Sequence, residues 1–206
     1  MRGALITFEG VEGSGKTTQM TRLARWLKGQ GHKVERTEEP DGTPLGVAIR
    51  RLFERPGSRP RPLAEMFLFM AARHQHVMDR IRPWLSSGRI VLCDRYIDAT
   101  VAYQGYGRGL DTDVIREMNL RATGGIAPAL TLLFDLRPEI GLRRIGTRHL
   151  DSFEKEALVF HRRVRRGYLE IQRAEPKRVR IIDAARDPDT VEHQVQALVG
   201  ELLRGG

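Results

Sequence analysis

Residues 4–18 read Ala-Leu-Ile-Thr-Phe-Glu-Gly-Val-Glu-Gly-Ser-Gly-Lys-Thr-Thr, an apolar run that breaks into glycines and ends in a lysine and two hydroxyls. Gly10 to Thr17 fits G-x-x-x-x-G-K-[ST] at every fixed position, a match that chance supplies in roughly 0.4% of chains of this size and composition. Ala4 to Phe8 reads as a buried strand, and Met20, Leu23, Ala24 and Leu27 recur at the spacing of one helix face. A glycine turn between strand and helix lets main-chain N–H groups close around a phosphate, with the helix N-terminus adding its dipole. Gly10, Val11, Glu12, Gly13, Ser14, Gly15, Lys16, Thr17 and Thr18 are therefore the expected nucleotide-binding loop. In it Lys16 reaches the β and γ phosphates and Thr17 ligates Mg²⁺.

Outward from the loop, Ile90 to Cys93 and Leu130 to Phe134 repeat the apolar run; Val179 to Ile182 does so with Arg180 interrupting, and Val34 to Thr37 is a weaker fifth. Helical periods lie between them: Leu45 to Phe53, a long segment from Leu63 to Leu85 that Pro83 is expected to kink, Asp111 to Ala122, one opened by Pro138, Phe153 to Ala174, and Pro188 to Leu203. Strand and helix alternate, so the expected architecture is α/β, a parallel sheet with helices on both faces and ligands at the carboxyl ends of the strands. The length, 206 residues, suits one domain. Pro56 to Pro62 reads as a surface loop, and so does the glycine-rich Thr100 to Gly109 when taken alone.

The net charge is +9, and arginine makes up 30 of the 35 basic side chains. A forked cation suits an anionic ligand, although a GC-biased coding sequence would produce the same excess. The cluster Arg162-Arg163-Val164-Arg165-Arg166 reads as a solvated helix face or, alternatively, as a nucleic-acid contact. No run approaches a membrane span, and Cys93 is the lone cysteine. A cytoplasmic protein with no membrane or nucleic-acid partner is expected.

A second anion site faces the loop. Strand 90–93 delivers Asp94-Arg95-Tyr96, a carboxylate suited to magnesium and an arginine suited to phosphate. Phe69 and Arg73, four apart on the long helix, set an aromatic plate beside a forked donor. Phe8-Glu9-Gly10 through Thr18, Glu39-Pro40, Ala71-Ala72-Arg73, Asp94-Arg95-Tyr96 and Ala102-Tyr103-Gln104-Gly105 together resemble bacterial thymidylate kinase in order and spacing, over nearly the whole chain.

The resemblance implies a P-loop NTPase fold, a five-stranded parallel sheet flanked by helices on both faces, forming one domain over 1–206 with a short lid at about 143–154. It implies transfer of the ATP γ-phosphoryl to dTMP, with Mg²⁺, by a homodimer that uses the apolar side of helix 63–85. By the same likeness Phe69 stacks on thymine, Arg73 donates to a thymine carbonyl, and Thr100 and Gln104 meet the base edge. Pro40 belongs to the acceptor site, Tyr103 lies against the deoxyribose, Glu12 reaches the 3′-hydroxyl, and Arg95 and Arg50 clamp the acceptor phosphate. Thr17 and Asp94 are the expected metal-binding pair, and Lys16, Arg95, Asp94, Glu12 and Arg148 the catalytic set.

Family members carry a catalytic arginine either in the phosphate loop or in the lid. The loop position here is Gly13, so Arg148 is the expected transition-state finger, with Arg144 on adenine and Ala184 beside it. The sequence departs from the family pattern at Glu38, Asp41, Ala99 and Ser152. Two readings stay open beside dTMP kinase: a kinase of the same fold for another nucleoside monophosphate, and a basic nucleic-acid-binding protein switched by nucleotide.

Overall fold

The computed structural model describes residues 3–55, 60–146 and 152–205, with side chains after the second gap described from Leu158 onward. Most of the expected linker and the lid residues 147–151, Arg148 among them, lie outside the described residues.

Five strands, β1 (Ala4–Glu9), β2 (Val34–Glu38), β3 (Ile90–Asp94), β4 (Leu130–Asp135) and β5 (Val179–Asp183), form one parallel sheet in the order β2-β3-β1-β4-β5. The interrupted runs, β2 and β5, are its two edges, where exposure on one side tolerates Arg36 and Arg180. The central strands are largely apolar because both of their faces are covered, and the two hydroxyls inside them, Thr7 and Thr131, bond each other at 2.8 Å. Each strand ends on a carboxylate, Glu9, Glu38, Asp94, Asp135 or Asp183, and Phe8 lies opposite Asp94 in register. The carboxyl edge is thus acidic before any loop is added.

Helices α1 (Lys16–Gly29) and α9 (Pro188–Arg204) pack together over one face. The expected helix 63–85 divides into α3 (Pro62–His76), a wide i→i+5 turn at Val77–Ile81, and α4 (Arg82–Ser86). Pro83 has no N–H and its ring would strike the carbonyl four residues back, so the helix widens there instead of continuing. Val77 and Ile81, both wholly buried, use that turn to pack on Leu5, Val91 and Tyr96. Pro44 occupies the first turn of α2 (Pro44–Glu54), and Asp111 caps α6 (Thr112–Thr123), its side chain accepting from the Asp113 N–H at 2.7 Å. Pro138 likewise opens α7 (Pro138–Arg144).

The glycine-rich stretch 100–109 is mostly helix rather than loop. α5 (Ile97–Thr100) runs on into a wide helix over Val101–Gly107 that packs against α8 (Ser152–Ala174). Its glycines serve close approach between helices: a Cβ on Gly107 would lie 2.5 Å from the Phe160 ring, and one on Gly167 of α8 would lie 2.7 Å from the Tyr106 ring. Below this junction Arg178 grips Asp98 through two bonds, at 2.7 and 2.8 Å, and reaches Thr131 at 2.8 Å.

Alanine favours a helix interior over glycine by about 1 kcal/mol, so the sign of Gly167→Ala rests on the contact with Tyr106. Because even the Cβ of Tyr106 lies 2.8 Å from the added methyl group, the ring cannot swing clear. Gly167→Ala is expected to destabilise the chain by roughly 2 kcal/mol net and to lower the melting temperature by about 4–8 °C, measured by scanning calorimetry.

Candidate active site

The carboxyl ends of β1 and β3 assemble the site. After β1 the chain turns through Gly10, Gly13 and Gly15, each with positive φ, into α1. Positive φ is open to glycine at little steric cost, which is why these positions carry no side chain. Gly13 is also packed: a Cβ there would lie 2.2 Å from the Gly141 carbonyl oxygen on α7, and one on Gly141 would lie 2.1 Å from the Glu12 carbonyl oxygen. Lys16 folds back over the loop, its Nζ donating to the carbonyls of Gly10 at 3.0 Å and Val11 at 3.1 Å. Burial, with Arg95 nearby, pushes its pKa down to about 8. Thr17 donates its hydroxyl to Asp94 Oδ2 at 3.2 Å. Asp94 Oδ1 is buried with no hydrogen-bond partner among the described residues, so a carboxylate oxygen and a hydroxyl stand ready beside the loop for a hard cation.

After β3, Arg95 takes φ 67°, the only non-glycine residue with positive φ among those described, a conformation that costs a residue with a Cβ about 1–2 kcal/mol. Its neighbours hold it there. The Arg95 N–H donates to the Phe8 carbonyl at 3.0 Å, and the Tyr96 N–H donates to Glu9 Oε1 at 2.7 Å. Glu9 is fully buried and its second oxygen accepts from the Tyr168 hydroxyl at 2.7 Å. Burial, and then the charge of Asp98, push its carboxyl up to about 8. So placed, Arg95 lies over the Tyr103 ring at 4.7 Å and donates to Glu12 Oε1 at 2.9 Å, the oxygen that also takes the Tyr103 hydroxyl at 2.7 Å. Burial works to raise the Glu12 carboxyl, but Arg95, Tyr103 and His161 outweigh it and hold it below the usual range.

Of the expected base-site residues, Arg73 and Thr100 meet directly: Arg73 Nη1 donates to Thr100 Oγ1 at 2.8 Å and to Asn119 Oδ1 at 2.5 Å. Its remaining donors face the Tyr96 carbonyl at 2.9 Å and Glu39 Oε2 at 2.7 and 2.8 Å. Arg73 is thus engaged on every side, and a base carbonyl would have to share a donor now given to Thr100 or Asn119. Glu39 is shared with His76 at 3.2 Å, and the far ring nitrogen of His76 meets Thr37 at 2.6 Å. Gln104 donates to Glu65 at 2.7 Å. Phe69 stacks on Phe53 at 5.1 Å, joining α2 to α3. Pro40 follows Glu39 through a cis peptide bond.

Arg50 stands apart from Arg95 in its contacts, paired with Asp41 and, at 3.0 Å, with Glu54. Of the two acidic departures Glu38 is exposed, whereas Asp41 sits on the guanidinium expected to clamp phosphate. Arg144 donates to the carbonyls of Ala184 at 3.1 Å and Gly13 at 3.3 Å, bridging the loop after β5 to the phosphate loop. In the arginine cluster of α8, Arg162 pairs with Glu139 and Arg165 with Asp135, so two of its four charges are matched within the chain.

Sequence reasoning quoted Glu9 and Glu39 within motifs without giving either a role, and it missed His76, Asn119, His161 and Tyr168. These four meet the site across long sequence distances, such as the 159 positions between Glu9 and Tyr168.

A sequence profile described as thymidylate kinase matches residues 8–195. The chain is 49% identical over 207 aligned residues to a thymidylate kinase of Solidesulfovibrio magneticus, covering 96% of this chain and 99% of that one. It is 46% identical to one of Deinococcus radiodurans, covering 97% and 98%. The crystal structure of thymidylate kinase from Ehrlichia chaffeensis superposes with a TM-score of 0.79 at 34% identity, covering 97% of this chain and 99% of that one.

The raised pKa of Glu9 has a readable consequence. The folded chain keeps a proton on Glu9 between its ordinary value of 4.5 and about 8, where the unfolded chain has lost it, so the stability this residue contributes falls as pH rises through that window. Glu9→Gln stays neutral. Its melting temperature relative to wild type is expected to rise between about pH 6 and about pH 9, measured by differential scanning fluorimetry.

Proposed function

The chain belongs to the thymidylate kinase family and phosphorylates dTMP to dTDP, and from that premise we propose which residues carry the transfer. The reading rests on the contact of Glu12 with Arg95 and Tyr103, which joins the phosphate loop of the donor side to the arginine and ring of the acceptor side. ATP lies with its phosphates in the loop of Gly10 to Thr18 and its adenine against Arg144, beside the Ala184 loop. Lys16, released from the carbonyls of Gly10 and Val11, follows the β and γ phosphates. The partnerless Asp94 Oδ1 and the Thr17 hydroxyl fit Mg²⁺, which takes several waters and phosphate oxygens beside one or two protein ligands. The ion supplies charge neutralisation and orientation to the donor phosphates.

On the acceptor side Phe69 stacks on thymine, while Arg73, Thr100 and Gln104 address the base edge. Glu12 takes the 3′-hydroxyl and Tyr103 lies against the sugar. Arg95 and Arg50 draw the dTMP phosphate toward the donor; this overcomes the mutual repulsion of two anions and leaves them in reaction geometry. The acceptor phosphate must displace Asp41 from Arg50, so Asp41 weakens dTMP binding and keeps Arg50 oriented when the site is empty. Phosphoryl transfer asks little covalent work of the protein, and positioning with charge neutralisation accounts for the acceleration.

The loop offers no cation at position 13, where Gly141 excludes any side chain. The finger is therefore Arg148 of the lid. Leu63 and Phe67 of α3, four residues apart and each about half exposed at 50% and 52%, support a homodimer through that helix. No helix among the described residues is long and apolar enough to cross a membrane.

Lys16→Ala is expected to abolish transfer while leaving the circular dichroism spectrum and melting temperature near those of wild type. Arg148→Ala is expected to lower kcat by roughly 10³; a loss confined to KM for ATP would make it a binding residue. In a coupled assay of ADP formation dTMP is expected to exceed dUMP, dCMP and dGMP as acceptor, and equal turnover of dGMP would contradict the base site.

A further inference from the structure

Glu65, Phe69 and Arg73 follow one another at intervals of four along α3 and so share one face of that helix. Phe69 and Arg73 belong to the acceptor base site; Glu65, in the first turn, brings a carboxylate to the same face. It reaches across to the wide helix 101–107, where its Oε1 accepts from the Gln104 amide nitrogen at 2.7 Å. Arg108 donates to both oxygens of the same carboxylate at 3.5 Å, while lying over the Phe160 ring at 4.7 Å. Glu65 is thus held from two sides, its side chain only 13% exposed, and Gln104 is buried beside it.

The chemistry of a carboxylate decides what Gln104 shows to a base. A primary amide donates from its nitrogen and accepts at its oxygen, and a half-turn about the last side-chain bond exchanges the two ends. Left to itself, a glutamine therefore suits a donor or an acceptor equally well. A carboxylate can only accept. Beside Glu65 the amide nitrogen must face the carboxylate, and the amide oxygen is turned away from it, where no described residue donates to it. A buried side-chain oxygen in that position calls for a donor. Pyrimidine bases differ at the atom concerned, because N3 of thymine or uracil carries a hydrogen and N3 of cytosine carries a lone pair.

We propose that Glu65 is a positioning residue that sets the base specificity of the acceptor site: by holding the Gln104 amide nitrogen, it presents the Gln104 oxygen to the N3–H of the base. A pyrimidine with a hydrogen at N3 is bound, and cytosine is refused because its lone pair meets an oxygen. This rests on the reading of Gln104 as a contact of the base edge, to which it adds the reason that the amide points one way. The arrangement is blind to the thymine methyl group, since uracil carries the same hydrogen at N3.

The test measures kcat/KM for dTMP, dUMP and dCMP with the full chain. In Glu65→Gln the side chain at position 65 gives as well as takes a hydrogen bond, so the Gln104 amide is free to adopt either orientation. The ratio of dTMP to dCMP is expected to fall about tenfold, with the ratio of dTMP to dUMP within twofold of wild type. A dTMP to dCMP ratio that does not move overturns the assignment, whether the three acceptors keep their rates or lose them equally as a merely structural contact would have it. An equal fall in the dTMP to dUMP ratio overturns it as well. If Glu65→Gln does not fold, Glu65→Leu, which offers Gln104 nothing to bond, enters the same comparison. Gln104→Leu separates the two readings: a dTMP to dCMP ratio that falls in Gln104→Leu but not in Glu65→Gln removes Glu65 alone, whereas a ratio unchanged in Gln104→Leu removes the Gln104 reading and this one with it.

Discussion

A single buried carboxyl holds the two halves of the site in relation. Glu9 ends the central strand with no exposure to solvent, one oxygen on the Tyr96 amide and the other on the Tyr168 hydroxyl. A carboxyl so placed is costly unless its oxygens are satisfied, and the two elements that satisfy it are those the chemistry needs fixed: the turn carrying Arg95 and the helix that packs on Tyr103. The left-handed turn at Arg95 persists because Glu9 and the Phe8 carbonyl determine it from both sides. Arg95, Tyr103 and Glu12 then fall into contact, and the phosphate loop acquires an acceptor side.

The fold was legible in the sequence because it rests on local signals. Apolar runs, helical periods and one glycine loop give a parallel sheet with helices on both faces, and even the weakness of the Val34 and Val179 runs carries meaning, since both are edges. The stretch 100–109 read otherwise. Its glycines resemble loop residues in sequence, but Gly107 is where Phe160 crosses the helix and Gly105 is where Thr112 does. That use of glycine depends on a partner more than 50 positions away in the case of Phe160, which no local pattern reveals.

The site was legible as far as its motifs extend. The loop, Asp94-Arg95, Phe69 and Arg73 are spaced recognisably, and the structure brings Glu12, Arg95 and Tyr103 together. What stayed hidden is the layer that aims them. Arg73, expected as a base donor, is locked by Glu39, Asn119, Thr100 and the Tyr96 carbonyl, and Glu39 in turn by His76. The arginine excess also resolves into particulars. Arg178 holds Asp98 by two oxygens, Arg165 holds Asp135 the same way, and Arg22 bridges Asp189 and Glu192. Forked cations here stitch the chain together as much as they await an anion, because a planar guanidinium meets two acceptors in a fixed geometry that an ammonium group does not offer.

The abutment of Gly13 on Gly141 limits what the loop can carry. Where two backbones touch with no room for a methyl group, a single codon change cannot install an arginine in the loop. α7 would first have to draw back, and a retreat without the new cation leaves the grip on the donor looser for no gain. An arginine at position 13 of this chain is therefore shut out by a packing barrier.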